Sequence, residues 1–247
     1  MKIEKSTSEY DWCLEEVKKL NLEIRYLAEI GSRDGLDAIK LSKEFNPIET
    51  YIFEADPYLS KNINKNIDKA EKKMNLKLFN IALGSEDKEV KFYAVDRKKY
   101  DNEGVGSLFQ INFENRLESD PDYKRESIQK EISINQKKYI SLGLNTPDLI
   151  AMDVQGAELE VLKGFENEIT NVKFIVLETS ISENYIGGST FMDIHRYLKP
   201  SFKLIKNRRY GKKNYKIFQD YYKYKYSKNK IFQNDFDLLY LNKSFLS

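Results

Sequence analysis

The sequence has few of the residues on which several kinds of site depend. Its 247 residues include one cysteine, Cys13, and one histidine, His195. A single thiol excludes an intramolecular disulfide framework and a cysteine-based zinc cluster, and it is typical of a protein in a reducing compartment. We expect Cys13 to be a small buried apolar residue, because free cysteines are usually buried and inert.

Long apolar segments are also missing. Nowhere do about 18 apolar residues follow one another, and the first residues hold no apolar run of signal-peptide length. We therefore expect a cytoplasmic protein without a transmembrane segment. The 41 Lys and Arg residues nearly balance the 39 Asp and Glu residues, so the overall charge favours no class of partner.

Three ligand-binding signatures are absent as well. The chain has neither the Gly-x-Gly-x-x-Gly turn that admits a pyrophosphate nor the glycine-lysine motif of a P-loop. It also lacks the Asn or Asp-Pro-Pro-aromatic signature with which many nucleic-acid methyltransferases stack a flipped base. A nucleic-acid substrate is therefore disfavoured.

Short apolar runs alternate with segments of helical period along most of the chain. Strands are predicted at 24–30, 50–53, 76–81, 148–154 and 173–177, and helices at 35–45, 57–74, 157–165 and 190–198. This alternation predicts an α/β protein with a mostly parallel sheet and helices on both faces. Right-handed crossovers then place all the carboxyl ends of the strands at one edge, where ligands bind.

Other segments extend this core. Residues 1–23 form a leader whose amphipathic helix is predicted at 9–20, and residues 24–247 form the main domain. An added antiparallel strand is predicted at 89–95, and the last strands, 202–206 and 236–241, could pair as a hairpin at the sheet edge. Two insertions interrupt the domain, a polar loop at 96–128 and a basic, tyrosine-rich segment at 207–232.

A glycine turn lies where the first buried strand meets a helix. Gly31 and Gly35 allow a tight turn and a close approach to a ligand. Two acids, Glu29 and Asp34, would repel a pyrophosphate but attract a ligand that carries an ammonium and a sulfonium, as S-adenosylmethionine does. The residues assigned to cofactor binding in this turn are Glu29, Gly31, Ser32, Arg33, Asp34 and Gly35.

Acids also end three of the predicted strands. Glu54 follows the second strand and could accept hydrogen bonds from both ribose hydroxyls of an adenosine. Asp153 and Glu178 end two later strands, and Glu158 opens the helix between them. These last three are candidate general bases, with Asp153 ranked first. Alternatively, the acids cap helices or pair with lysine.

Two further catalytic readings are less favoured. Asp153 and Glu178 supply the hard oxygen ligands that magnesium prefers, but no third acid lies at metal spacing, so no metal site is predicted. His195 lies inside a predicted helix, well past Glu178, and we expect a solvated or packed histidine rather than a base.

Four motifs together resemble the FkbM family of class I methyltransferases over residues 24–206. They are Glu-Ile-Gly-x-x-x-Gly from 29, Phe-Glu-Ala-Asp-Pro from 53, Asn-Ile-Ala-Leu-Gly from 80 and Asp-Val-Gln-Gly-Ala-Glu from 153. The last is similar to the family's usual Asp-Val-Glu-Gly-Ala-Glu segment, with Gln155 in place of the glutamate, which removes a negative charge near the acceptor site. Residues 104–108 also resemble the family's glycine-serine loop.

The resemblance implies a seven-stranded, Rossmann-like sheet whose last strand is antiparallel, and S-adenosylmethionine as the cofactor. It implies O-methylation of a hydroxyl on a sugar, a glycolipid or a small metabolite. By the class pattern, Glu29 and Gly31 hold the methionine end, Glu54 and the adjacent Ala55 lie at the ribose, and Asp153 lies beside the methyl group. The adenine would contact Ile81, Ala82 and Leu83.

Two other functions stay open at this point. Glu54 could hold the ribose of NAD in an oxidoreductase, although the pyrophosphate turn and a proton-relay dyad are missing. A non-catalytic module could bind a partner through residues 203–230, which carry eleven Lys or Arg residues and one acid. This segment suits a single-stranded nucleic acid, an anionic glycan or, as a peripheral contact, lipid headgroups, and it is equally consistent with a solvated insertion.

Overall fold

The computed structural model describes residues 9–70, 73–100, 102–114, 128–227 and 235–246. Within these ranges the chain forms ten strands and six α-helices. The strands are β1 (Tyr26–Ile30), β2 (Glu49–Phe53), β3 (Leu76–Phe79), β4 (Ala82–Leu83), β5 (Lys88–Val95), β6 (Gln129–Lys137), β7 (Leu149–Met152), β8 (Phe174–Ser180), β9 (Phe202–Asn207) and β10 (Asp235–Asn242). The helices are α1 (Asp11–Lys19), α2 (Leu36–Phe45), α3 (Ser60–Lys69), α4 (Glu158–Gly164), α5 (Phe191–Leu198) and α6 (Tyr215–Ser227).

Seven strands form the main sheet in the order β3-β2-β1-β7-β8-β10-β9. The pairs from β3 to β8 are parallel, and β10 is antiparallel to both of its neighbours. The predicted fold class, a mostly parallel seven-stranded sheet with an antiparallel last strand, is therefore confirmed. The last two strands pair as expected, with β9 at the edge and β10 inside.

Alternate residues of the central strands enter two different cores. Ile150 and Met152 of β7 face one core together with α4 and α5, whereas Leu149 and Ala151 face the other together with α1 and α2. Because side chains alternate along a strand, burial on both sides requires helices on both faces. This arrangement explains the continuous apolar runs in the sequence.

A second, smaller sheet covers part of the carboxyl edge. Its strand order is β4-β6-β5, with β5 antiparallel to β6 as the alternation in 89–95 suggests. The sequence did not predict β6, because Ile132 and Ile134 are the only strongly apolar residues among its nine. Residues 101 and 115–127 of the predicted loop at 96–128 lie outside the described residues.

The helices agree with the predictions except at two places. The third helix spans Ser60–Lys69 rather than 57–74, because Asp56 accepts a hydrogen bond from the amide of Tyr58 and forms a turn before it. The predicted basic insertion contains α6, which the sequence did not predict and which buries Ile217. Residues 1–8 of the leader and 228–232 of the insertion lie outside the described residues. None of the described helices combines the length and apolar composition that crossing a bilayer requires.

Candidate active site

A cleft opens where β1, β2 and β7 end, at the carboxyl edge of the main sheet. It holds about 860 Å³ of empty space, part of which is open to solvent. Ten of the twelve predicted cofactor-binding residues line it, so the four distant motifs do converge. These ten are Glu29, Gly31, Ser32, Arg33, Glu54, Ala55, Ile81, Ala82, Leu83 and Asp153.

The floor of the cleft depends on a close approach between β1 and β7. Gly31 has φ +84°, and its amide donates to the carbonyl of Phe53 at 2.9 Å. A Cβ atom on Gly31 would lie 1.8 Å from the carbonyl oxygen of Asp153. Only glycine fits this backbone, because the left-handed conformation and the missing Cβ are both required.

The two acids of the glycine turn lie in different surroundings. Glu29 is buried beside the cleft, accepts a hydrogen bond from the hydroxyl of Ser32, and has a pKa raised well above its usual value by burial. Asp34 does not line the cleft, since its carboxylate accepts a hydrogen bond from the amide of Leu36 at the start of α2. Asp37, in the first turn of that helix, lines the cleft instead, and Gly35 precedes the helix with φ +79°.

Glu54 is held by the backbone around it. One of its oxygens accepts from the amide of Arg33 at 2.8 Å, and the other accepts from the amide of Asp56 at 2.7 Å. A carboxylate has about four acceptor positions, so each oxygen retains capacity for a ligand hydroxyl. Burial raises the pKa of Glu54 to about 7.

Apolar side chains form the opposite wall of the cleft. Besides the predicted residues 81–83, the wall includes Leu59, Phe92 and Leu108. Phe92 comes from β5, and Leu108 ends the loop that resembles the glycine-serine loop of the family. A flat aromatic ligand group would be enclosed between such side chains.

Acidic side chains outnumber basic ones in the lining of the cleft. Its lining contains seven acids and one base, Arg33, which lies 3.5 Å from Glu9. Arg97 pairs with two more of the acids, Asp56 and Glu103. Four acids therefore have no cationic partner within 4 Å among the described residues: Glu29, Asp37, Glu54 and Asp153.

Asp153 and Glu178 form a coupled pair that Gln155 bridges. The amide nitrogen of Gln155 donates to Asp153 at 2.6 Å and to Glu178 at 3.1 Å, and its amide oxygen accepts from the hydroxyl of Tyr185 at 2.5 Å. Only this amide orientation satisfies two carboxylates and a hydroxyl donor. An ionised glutamate at position 155 could not donate to either acid. Glutamine can therefore make the two hydrogen bonds that link Asp153 and Glu178.

The two acids of this pair have raised pKa values for different reasons. Burial in the cleft raises the pKa of Asp153 to about 7. The nearby charge of Asp153, followed by burial, raises the pKa of Glu178. Two carboxyl groups so close do not both ionise readily.

Glu158 is placed to hold the backbone rather than the cleft. Its carboxylate accepts from the amides of Val154 and Gly156 at 3.3 and 3.1 Å, and from the hydroxyl of Ser189 at 3.3 Å. It stabilises the turn on which Asp153 and Gln155 lie, and burial raises the pKa of Glu158 to about 7. Glu158 and Glu178 do not line the cleft but a second, smaller cavity beside it.

The N-terminal segment contributes residues that the sequence did not single out. Glu9 and Tyr10, just before α1, line the cleft, and Tyr10 is buried. No local motif marks them, because only the packing of α1 against the sheet brings them to the cleft. Burial and the nearby charge of Glu29 raise the pKa of Tyr10 well above its usual value.

The remaining sequence candidates lie away from the cleft. His195 packs between Phe191 and Phe218, and its Nδ1 lies 3.2 Å from the hydroxyl of Tyr240. Burial lowers the pKa of His195. Cys13 is buried and donates to the carbonyl of Tyr10. Within the described ranges, no group of three or more acids, histidines and cysteines is arranged to hold a metal ion.

The chain is similar to known proteins. A family model described as the methyltransferase FkbM domain matches residues 29–213. The 2-O-methyltransferase NoeI of Sinorhizobium fredii is 29% identical over 187 residues, which cover 72% of this chain and 72% of that protein. The solved structure of methyltransferase FkbM from Methylobacillus flagellatus aligns with a TM-score of 0.46 and 14% identity, over 74% of this chain but 39% of that one. The structure of M. capricolum TrmK with S-adenosyl-homocysteine aligns with a TM-score of 0.44 and 10% identity, over 93% of this chain and 67% of that one.

Proposed function

We propose that this protein, which belongs to the FkbM methyltransferase family, transfers the methyl group of S-adenosylmethionine to a hydroxyl of a sugar-containing acceptor. The observation that carries the proposal is the charge of the cleft, where four acids lack a cationic partner among the described residues. A ligand with an ammonium and a sulfonium would satisfy such a site, because opposite charges attract strongly in a partly desolvated cleft.

The residues of the cleft fit the parts of this cofactor. Glu29 and the turn from Gly31 would hold the methionine end, Glu54 would accept from the ribose hydroxyls, and residues 81–83 would enclose the adenine. When bound, S-adenosylmethionine supplies an electrophilic methyl group, whose bond to sulfur breaks as the acceptor oxygen attacks. The electron pair of that bond stays on the sulfur of the neutral thioether product.

The chain's own contribution is to position the acceptor and take its proton. Asp153 is the proposed base, since it lines the cleft and its pKa of about 7 lies close to neutral pH. Gln155 fixes the orientation of that carboxylate by donating to it. Most of the rate acceleration in such a displacement comes from alignment of the reacting atoms, which the rigid strand ends favour.

A hydroxyl acceptor has support from one relative. NoeI is named a 2-O-methyltransferase, and the aligned region covers most of both chains. A nicotinamide cofactor is disfavoured by the same acids that favour a methyl donor, because its pyrophosphate would lie beside them.

Calorimetry tests the cofactor assignment directly. S-adenosylmethionine and S-adenosylhomocysteine should each bind the purified protein, and NAD should not bind. Binding of NAD alone would contradict the proposal. Methyl transfer is then measured as release of S-adenosylhomocysteine in the presence of methyl glycosides of glucose, galactose, mannose and fucose. Cofactor binding without methyl transfer to any of these glycosides would contradict a sugar acceptor, while the assignment of S-adenosylmethionine as the methyl donor would stand.

A further inference from the structure

We infer that the small cavity beside the cleft is the acceptor subsite, and that the hydroxyl of Thr179 binds a neutral, hydroxyl-rich ring such as a sugar. The inference rests on the proposed methyl transfer and gives it a place for the second substrate. Three features of the described residues support it: the position of the cavity, the state of its acids and one buried hydroxyl without a partner.

The cavity lies beside the cleft that we propose for the methyl donor. It holds about 290 Å³ of empty space, part of which is open to solvent, at the carboxyl ends of β7 and β8. Gln155 lines both the cleft and the cavity, and its amide touches Asp153 on one side and Glu178 on the other. A ligand in the cavity therefore lies one side chain away from the proposed base.

Most of the residues that line the cavity carry a polar group. Unlike the cleft, the cavity has no aliphatic or phenylalanine residue in its lining among the described residues. Such a set of hydrogen-bonding groups suits a ring that bears several hydroxyls. The lining residues are Gln155, Gly156, Glu158, Glu178, Thr179, Ser180, Asn184, Tyr185, Ser189 and Asp235.

The acids of the cavity are already engaged within the chain. Glu158 accepts from two backbone amides, Asp235 accepts from the side-chain amide of Asn184, and Glu178 accepts from the side-chain amide of Gln155. They do not require a cation from the ligand. This distinguishes the cavity from the cleft and favours a neutral acceptor.

The hydroxyl of Thr179 differs from these acids, because it makes no hydrogen bond with another described residue. Thr179 is 5% exposed, and its Oγ1 has no hydrogen-bond partner among the described residues. The neighbouring hydroxyls differ, since Ser180 donates to the carbonyl of Ser182 at 2.6 Å and Ser189 donates to that of Gly156 at 3.1 Å. Leaving a buried hydroxyl unpaired is unfavourable, so a hydroxyl-bearing ligand in the cavity would complete it.

Nuclear magnetic resonance tests the location without depending on catalysis. The protein, labelled with ¹³C at threonine methyl groups and saturated with S-adenosylhomocysteine, is titrated with the methyl glycosides of glucose, galactose, mannose and fucose. The resonance of Thr179, identified by its loss in Thr179→Ser, should shift saturably with at least one glycoside. That of Thr190, whose hydroxyl binds Asp193 at 2.6 Å, should not. No shift at Thr179 with any glycoside, or shifts confined to other threonines, would overturn the inference.

Kinetics separate the subsite from the proposed function. Thr179→Val keeps the shape but removes the hydroxyl, so the KM of the transferred glycoside should rise at least fivefold, with kcat within twofold and the Kd of S-adenosylmethionine unchanged. Thr179→Ser should restore the KM. Because the lost hydroxyl has no partner among the described residues, Thr179→Val should not lower the melting temperature. Methyl transfer with an unchanged KM would refute the subsite alone, whereas absent cofactor binding by the parent would refute the proposed function.

Discussion

The cleft and the second cavity share one side chain, Gln155, but they are built differently. The cleft combines an apolar wall with acids that lack cationic partners, whereas the cavity is polar and its acids are engaged within the chain. The first composition suits a cation attached to a flat aromatic base, and the second suits a neutral polyol. A transferase that joins two unlike substrates needs such a division, because one electrostatic environment cannot favour both.

The two sites also differ in how the chain supplies them. The cleft draws on short runs of sequence at the ends of adjacent strands, such as 29–33 and 53–56. The cavity draws on the turn after β7, the end of β8, the segment that follows β8 and the start of β10. Motifs mark the cleft at several strand ends, whereas in the cavity only the turn after β7 belongs to a motif.

The largest effect should come from closing the floor of the cleft. Gly31→Ala places a Cβ against the backbone of Asp153 in a left-handed conformation, so the free energy of unfolding should fall by about 2–5 kcal/mol and cofactor binding should be lost. Gly143→Ala is the matched control, because Gly143 also has positive φ but nothing within 4 Å. It should cost about 1–2 kcal/mol in denaturant unfolding and leave cofactor binding intact. Similar costs for the two variants would disprove the close approach.

The next effect concerns the pH dependence of stability without ligand. Burial raises the folded-state pKa values of Glu54, Asp153 and Glu158 to about 7, so the folded protein holds protons that the unfolded chain releases near pH 4. Stability should therefore fall as pH rises from about 4.5 to 7.5, by about 2–4 kcal/mol. Denaturant unfolding across this range measures the effect.

Two variants sharpen that measurement. Asp153→Asn removes one of the groups that take up a proton on folding, so the free energy of unfolding should depend less steeply on pH. Glu166→Gln, on the exposed surface, should leave this dependence unchanged. Saturating S-adenosylmethionine should also weaken the pH dependence, because a cation in the cleft lowers the pKa values of the acids around it. Stability that increases over the same range would contradict the buried state of these carboxyl groups.

A smaller effect on cofactor affinity should distinguish Glu54, which follows the second strand, from Asp34, which lies in the glycine turn. Glu54→Ala should weaken S-adenosylmethionine binding by about 1–3 kcal/mol, because ribose hydroxyls are left unpaired. Asp34→Ala should change the affinity by less than about twofold, since Asp34 caps α2 outside the cleft. Calorimetry on both variants measures their affinities for S-adenosylmethionine. Equal losses of affinity would contradict the assignment of Glu54 to the ribose.

The smallest effect concerns the side chain between the two sites. Gln155→Glu adds a third carboxyl group beside Asp153 and Glu178, which should raise the pKa of the base and move the acid limb of the kcat profile upward by about one pH unit, or ~1.4 kcal/mol at neutral pH. Tyr185→Phe leaves both bonds from the amide nitrogen in place and should shift the limb much less. A profile that does not move in Gln155→Glu would exclude the pair as the proton acceptor.

Much of the fold was predictable because its signals are local. The apolar runs of β1, β2, β7 and β8 stand out since both of their faces are buried, and turn glycines mark the helix that follows β1. The sequence missed β6 and α6 for the opposite reason. Ile132 and Ile134 alone give β6 its alternation, and tyrosines and lysines occupy most of α6, so neither segment has a clear apolar face before its partner is known.

Asp34 illustrates the same limit within the candidate site. Sequence position suggests that every acid of the turn faces the ligand, but Arg33 adopts φ +55° and the chain reverses, which directs Asp34 toward the amide of Leu36. Asp37, in the first turn of α2, lines the cleft instead. Side-chain direction at such a turn depends on backbone angles that residue types do not specify.

The sequence by itself determined the alternation of strands and helices, the acids at the strand ends and the absence of a pyrophosphate turn, because these follow from residue type and spacing along the chain. Only the tertiary structure decided which acids lack cationic partners among the described residues, that Gln155 donates to both Asp153 and Glu178, and that the hydroxyl of Thr179 is buried without a partner in the same part of the chain. Burial and electrostatic coupling depend on distances between residues that lie far apart in the chain, and those distances exist only after the strands have assembled.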